Sequence, residues 1–271
     1  MRCGPAWPRA ADPRTAGRKL MSRPVVLLVE DDPSVARFVS MALEILPVAV
    51  ETCPCVESAL AWLRHHRAAL VITDLMLPGE SGMALLRQLQ AEPALAAGAR
   101  IVVLSAGLDH AVRQELAACG AWRALDKPVG VAALERCVQE ALADVPVSSG
   151  EAGAAATAGA PHSPDVAGSA AATAESTAIQ EYFSGDAALF HAYRAACLAQ
   201  FGRDAAEGDR ALRSRDLAAL RRLCHSLSSV LRTLGRTEDG ALAREAELAA
   251  RDGRHEAARD LWLALSRRLD R

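Results

Sequence analysis

The chain has 271 residues, 51% of them hydrophobic but only 4% aromatic, and a formal net charge of −2. That length holds two ordinary domains of about 100–150 residues each, with cores built mainly from Ala, Leu and Val. The near-zero charge gives no global drive toward nucleic acid or an anionic membrane surface.

Residues 1–23 carry several Arg and Pro but no apolar core, so they do not read as a secretory signal. They are expected to be a disordered tail or to lie upstream of the true start, with Met21 just before the first strand. Over 24–145, short apolar runs alternate with helical patterns. VVLLV (25–29), VAV (48–50), LVIT (70–73), IVVL (101–104) and WRAL (122–125) read as strands, and PSVARFVSMALEIL and GMALLRQLQA as helices. Such alternation predicts five β-α units and a parallel sheet covered on both faces. Residues 146–176 are rich in small residues, Pro and Ser and are expected to be a flexible linker with a coil span of about 30 Å. From 177 to 271 only helical periodicity is present, punctuated by Gly185, Gly202, Gly208, Gly235 and Gly253. That predicts an all-α antiparallel bundle. Seven cysteines without a C-x-x-C pair argue against a disulfide framework or a zinc site and fit a cytoplasmic location. No apolar run approaches the ~18 residues of a membrane span.

In an open parallel sheet, ligands gather at the carboxyl ends of the strands. After the first strand come Glu30, Asp31 and Asp32; after the third, Asp74; after the fourth, Ser105; after the fifth, Lys127 and Pro128. Clustered carboxylates repel one another unless a cation sits among them, and an all-oxygen site with few protein donors suits Mg²⁺. A carboxylate beside Mg²⁺ can accept a phosphoryl group, with Lys127 offsetting charge on the transferring oxygens and Ser105 bonding the new phosphate.

VLLVEDDP, VITDLMLPGESG, VLSAG and LDKPV resemble the response-regulator receiver domain, over about 24–143. The resemblance implies a flavodoxin-like five-stranded fold with Asp74 as phosphoacceptor. It assigns the metal site to Asp31, Asp32, Asp74 and the backbone carbonyl of Met76, and implies the switch hydroxyl Ser105 and a Lys127 with a cis bond to Pro128. Such a domain promotes its own Mg²⁺-dependent phosphorylation and dephosphorylation and is not otherwise an enzyme. The family's switch aromatic is replaced by Ala124, with Trp122 two positions away.

In LRRLCHSLSSVLRTLG (220–235), at ~100° per residue, the leucines and Val230 fall at roughly 140–240° from His225. The histidine therefore faces away from its own apolar stripe. Arg221, Ser229 and Arg232 share its side, a setting suited to a neutral imidazole that accepts phosphoryl. His225, Leu227 and Gly235 resemble the motif of histidine-containing phosphotransfer domains, over roughly 178–271. Ser228 and Ser229 stand where the family commonly has Lys-Gly, so Arg221 or Arg232 is expected to supply the missing charge. No phosphate-binding loop or kinase core accompanies these modules.

The combined expectation is a two-component phosphorelay protein. Asp74 and His225 carry phosphoryl in turn, and the partners are a sensor histidine kinase, another receiver, or both. Two alternatives stay open. The helices are a degenerate docking module, or residues 215–250 bind DNA. Against the latter, 236–252 carries three Arg and five acidic residues, a poor surface for phosphate backbone.

Overall fold

The computed structural model describes residues 23–143 and 170–269. The tail 1–22 and most of the expected linker lie outside the described residues. The strands are β1 (Val25–Val29), β2 (Ala49–Cys53), β3 (Leu70–Asp74), β4 (Arg100–Ser105) and β5 (Arg123–Asp126). They pair in parallel in the order β2-β1-β3-β4-β5. β1 and β3 are adjacent, with Val26 opposite Leu70 and Val29 opposite Thr73. Their carboxyl ends therefore emerge side by side.

The first half contributes helices α1 (Pro33–Leu43), α2 (Val56–Leu63), α3 (Gly82–Ala91), the single turn α4 (Pro93–Ala96), α5 (His110–Ala118) and α6 (Val131–Ala143). Asp32, Ser81 and Asp109 cap α1, α3 and α5 with side-chain oxygens, which satisfies free N–H groups at each helix start. Side chains alternate along each strand, so two separate cores form. Val26, Leu28, Leu70 and Ile72 pack toward α1 and α6. Leu27, Val29, Val71 and Val103 pack toward α2, α3 and α5.

The second half is helical throughout: α7 (Ala170–Phe183), α8 (Ala187–Arg213), α9 (Leu217–Thr233), α10 (Thr237–Arg251) and α11 (His255–Leu269). The last part of the expected linker, 170–176, is helical, as its Ala-rich sequence favours. Gly202 and Gly208 do not punctuate; both lie inside α8. Gly208 makes room for the fully buried indole of Trp262, because a Cβ there would fall 1.9 Å from Trp262 Cζ2. Gly235 and Gly253 do end helices, at φ of +77° and +71°.

The bundle core is continuous with the α1/α6 core of the sheet domain. Phe38 on α1 meets Phe183 edge-on at 5.6 Å and Tyr193 at 5.4 Å. Gly130, just before α6, lies so close to α7 that a Cβ there would be 2.9 Å from the Glu181 carbonyl oxygen. This apolar seam lays α9 across the carboxyl edge of the sheet. No described helix is long and apolar enough to cross a membrane.

Candidate phosphoryl site at the domain seam

Asp74 ends β3 and is 1% exposed. Its Oδ1 accepts from the backbone N–H of Leu75 (2.5 Å) and Met76 (3.2 Å), and its Oδ2 from Lys127 Nζ (2.8 Å). Lys127 follows β5 through a cis bond to Pro128 and also donates to Glu30 Oε2 at 2.7 Å. Ser105 ends β4 and is buried beside them, its carbonyl accepting from the Lys127 N–H.

Glu30, Asp31 and Asp74 each bring a carboxylate oxygen within 4.8 Å of the others. Asp32, read from the sequence as a metal ligand, is not in that group. Its Oδ1 accepts from the N–H of Ser34 (2.8 Å) and Val35 (2.9 Å), because a residue one step further along has turned away from the strand end to cap α1. Glu30, at the strand end itself, belongs to the group instead.

When all three carboxylates are ionised, the single ammonium leaves two negative charges in excess. Burial pushes Glu30 up to about 8 although Lys127 opposes the shift. Burial, aided by the Asp74 charge, pushes Asp31 up to about 6. Burial also works against the Asp74 carboxylate, but Lys127 and then His225 outweigh it and hold Asp74 below its ordinary value. Asp31 Oδ1 is buried without a hydrogen-bond partner among the described residues. Hard oxygen donors, excess negative charge and an unsatisfied carboxylate oxygen fit a divalent ion such as Mg²⁺.

The helical half closes over this cluster. His225 is not presented to solvent, as its angle from the leucine stripe suggested; it is 2% exposed. α9 is covered on both sides, by the bundle on its leucine face and by the sheet domain and α10 on the other. His225 Nδ1 lies 3.1 Å from Glu247 Oε1 on α10, while Nε2 is buried with no partner among the described residues. Glu247 Oε2 in turn accepts from Arg244 Nη1 at 2.5 Å. Glu247 was missed in the sequence, yet it left a signal. It is an acid in the buried stripe Ala243, Ala246, Glu247, Ala250.

Ser229 lines a small seam cavity with Val35, Lys127 and Tyr193; Ser228 is buried. Arg221 has a buried Nε without a partner. Arg232 is exposed and lays its stem over Gly240. Ala124 packs in the core under α5, and Trp122 sits between the guanidinium groups of Arg100 and Arg123, at 4.6 and 4.4 Å.

The family model "Response regulator receiver domain" matches residues 26–139. Residues 26–139 are a response regulator receiver domain. The virulence sensor protein BvgS of Bordetella pertussis is 35% identical over 145 residues, 50% of this chain. A probable transcriptional regulatory protein, TcrX of Mycobacterium tuberculosis, is 40% identical over 76 residues, 28% of this chain. The matched regions span 12% and 32% of those two proteins. A crystal structure of the receiver domain of a putative Luxo repressor protein from Vibrio parahaemolyticus is 26% identical and aligns with a TM-score of 0.43, covering 45% of this chain and 91% of that one. The acidic cluster of Glu30, Asp31 and Asp74 is of the kind that holds Mg²⁺ in receiver domains.

Proposed function

We propose that this is a two-component phosphorelay protein in which a phosphoryl group passes between Asp74 and His225 of one chain. The observation that carries this reading is the unpartnered, buried Nε2 of His225, on a ring close enough for its charge to act on Asp74. Glu247 accepts from Nδ1–H, which leaves the lone pair on Nε2. In the forward step Nε2 forms a bond to phosphorus while the bond from phosphorus to the Asp74 oxygen breaks, its electron pair returning to the carboxylate. The ring becomes cationic and the Glu247 carboxylate offsets that charge, so no proton need move. Lys127 balances the carboxylate regained by Asp74, and Ser105 bonds a phosphoryl oxygen. Glu30, Asp31, Asp74 and the Met76 carbonyl would hold Mg²⁺, which would supply charge neutralisation for the phosphoryl oxygens. Arg221, with its unsatisfied Nε, takes the role of the absent Lys-Gly charge. A histidine kinase loads Asp74, and the helical half begins with α7.

The test is to load the full chain with labelled phosphoryl and map the label. Acid-labile, base-stable label within 177–269, absent from His225→Gln, is expected. Aspartyl label alone on the wild-type chain excludes the reading. It would favour a second one, in which the helices only cap the receiver, since His225 is buried.

A further inference from the structure

We infer that Arg244 is a positioning residue for His225, holding the histidine in its nucleophilic tautomer and tying that state to the docked receiver. The inference rests on the phosphotransfer reading and deepens it.

Glu247 is 3% exposed, and a buried carboxylate is stable only when its oxygens are matched by donors or positive charge. It has two such neighbours, one per oxygen: His225 at Oε1 and Arg244 at Oε2. Against burial, His225 and then Arg244 hold the Glu247 carboxyl below its ordinary value. Without the guanidinium only the ring opposes burial, and the balance moves toward a protonated Glu247. A neutral acid can donate to Nδ1, and the ring proton would then sit on Nε2. That nitrogen would have no lone pair to offer to phosphorus. Arg244 helps to keep Glu247 anionic, Glu247 keeps the proton on Nδ1, and Nε2 stays free.

The guanidinium also lies beside the receiver. Arg244 Nη2 is 3.6 Å from the position a Cβ on Gly107 would take, two residues beyond Ser105. Gly107 itself has φ +94°, a conformation suited to glycine. The docked loop covers part of Arg244, whose side chain is 39% exposed. Removing water from one side of an ion pair strengthens it. Docking thus reinforces the Arg244–Glu247 pair, which fixes the ring when Asp74 is in place. From the receiver, the Asp74 carboxylate faces His225 closely enough for their charges to interact. Cys224 on α9 is a thiol that burial, and then the Glu247 charge, push well above its ordinary value, so it stays neutral.

The experiment compares full-length wild type, Arg244→Gln and Arg244→Lys by ¹⁵N NMR of the His225 ring and by the rate of Asp74-to-His225 transfer. Wild type should show Nδ1–H. Arg244→Gln should move the proton toward Nε2 and slow transfer about tenfold, the lower end of what losing the outer hydrogen-bond partner of a metal-binding histidine costs. Arg244→Lys should restore most of both. An unchanged Nδ1–H tautomer in Arg244→Gln overturns the inference, as does slow transfer with a wild-type ring spectrum, which would make Arg244 a docking contact only. The ring spectrum needs no transfer. If label never reaches His225 in the wild type, phosphotransfer fails independently of the tautomer result.

Discussion

Replacing Gly130 by Ala should open the seam without damaging the receiver. Gly130 does not use the left-handed backbone region, so its own conformation accepts a side chain. The added Cβ would nevertheless stand 2.9 Å from the Glu181 carbonyl oxygen and 3.6 Å from Tyr182 Cα. Both are backbone atoms of α7, and no side-chain rotation relieves the contact. α7 must retreat by a few tenths of an ångström or leave. Overpacking of this kind costs about 1–3 kcal/mol, and here the cost falls on the closed arrangement alone. It multiplies the open fraction by about 5 to 150. Asp74 is 1% exposed when closed, so an external phosphodonor reaches it only in the open form. The rate of loading should rise by the same factor until the chain is fully open. The assay uses phosphoramidate and Mg²⁺ on the full chain carrying His225→Gln, so that phosphoryl cannot move on, with and without Gly130→Ala. Amide hydrogen exchange follows α7. A loading rate within twofold of the parent, in a chain whose α7 amides have lost protection, would show that the seam does not gate Asp74. Phe38→Ala, which removes the edge contacts to Phe183 and Tyr193, should act in the same direction.

Mg²⁺ affinity should fall as pH drops from 8 to below 6. Burial raises Glu30 to about 8 and Asp31 to about 6, and both must lose protons to bind the ion; a titration with pH-independent affinity would contradict this. Without Mg²⁺ the sign reverses for stability. Asp31 is raised above its ordinary value, so its contribution is fullest below about 4 and is lost as pH rises through about 6, which urea melts across that window will detect. Gly208→Ala should destabilise the bundle by at least about 1–3 kcal/mol, because the Trp262 ring, 1.9 Å from the new Cβ, is fully buried and cannot swing out. Arg221→Ala should slow transfer to His225 more than Arg232→Ala, since the Arg221 Nε is buried and unsatisfied whereas Arg232 is exposed. Equal rates would remove Arg221 from the site.

Much of the receiver is legible in the chain because strand ends are local features. An apolar run that stops in a carboxylate, hydroxyl or ammonium puts that group at the sheet edge whatever else the fold does. Asp74, Ser105 and Lys127 follow from that logic. Local pattern does not tell neighbours apart once the strand has ended. Asp31 and Asp32 look alike in sequence, yet one additional step of backbone turns Asp32 onto the N-terminus of α1 and leaves Glu30 facing Lys127.

Helical periodicity likewise gave the direction of His225 correctly, since the angle between side chains on a helix depends only on its geometry. It could not give burial, which depends on what covers the opposite face. Here that cover comes from a domain that begins nearly 200 residues earlier and from Glu247 one helix later. The sequence by itself determined two modules, the acid-rich sheet edge and a histidine set apart from its leucines. Only the tertiary structure decided that the two sites face each other and that Glu247 and Arg244 stand behind the ring. Those are pairings between distant segments, and no single helix or strand encodes them.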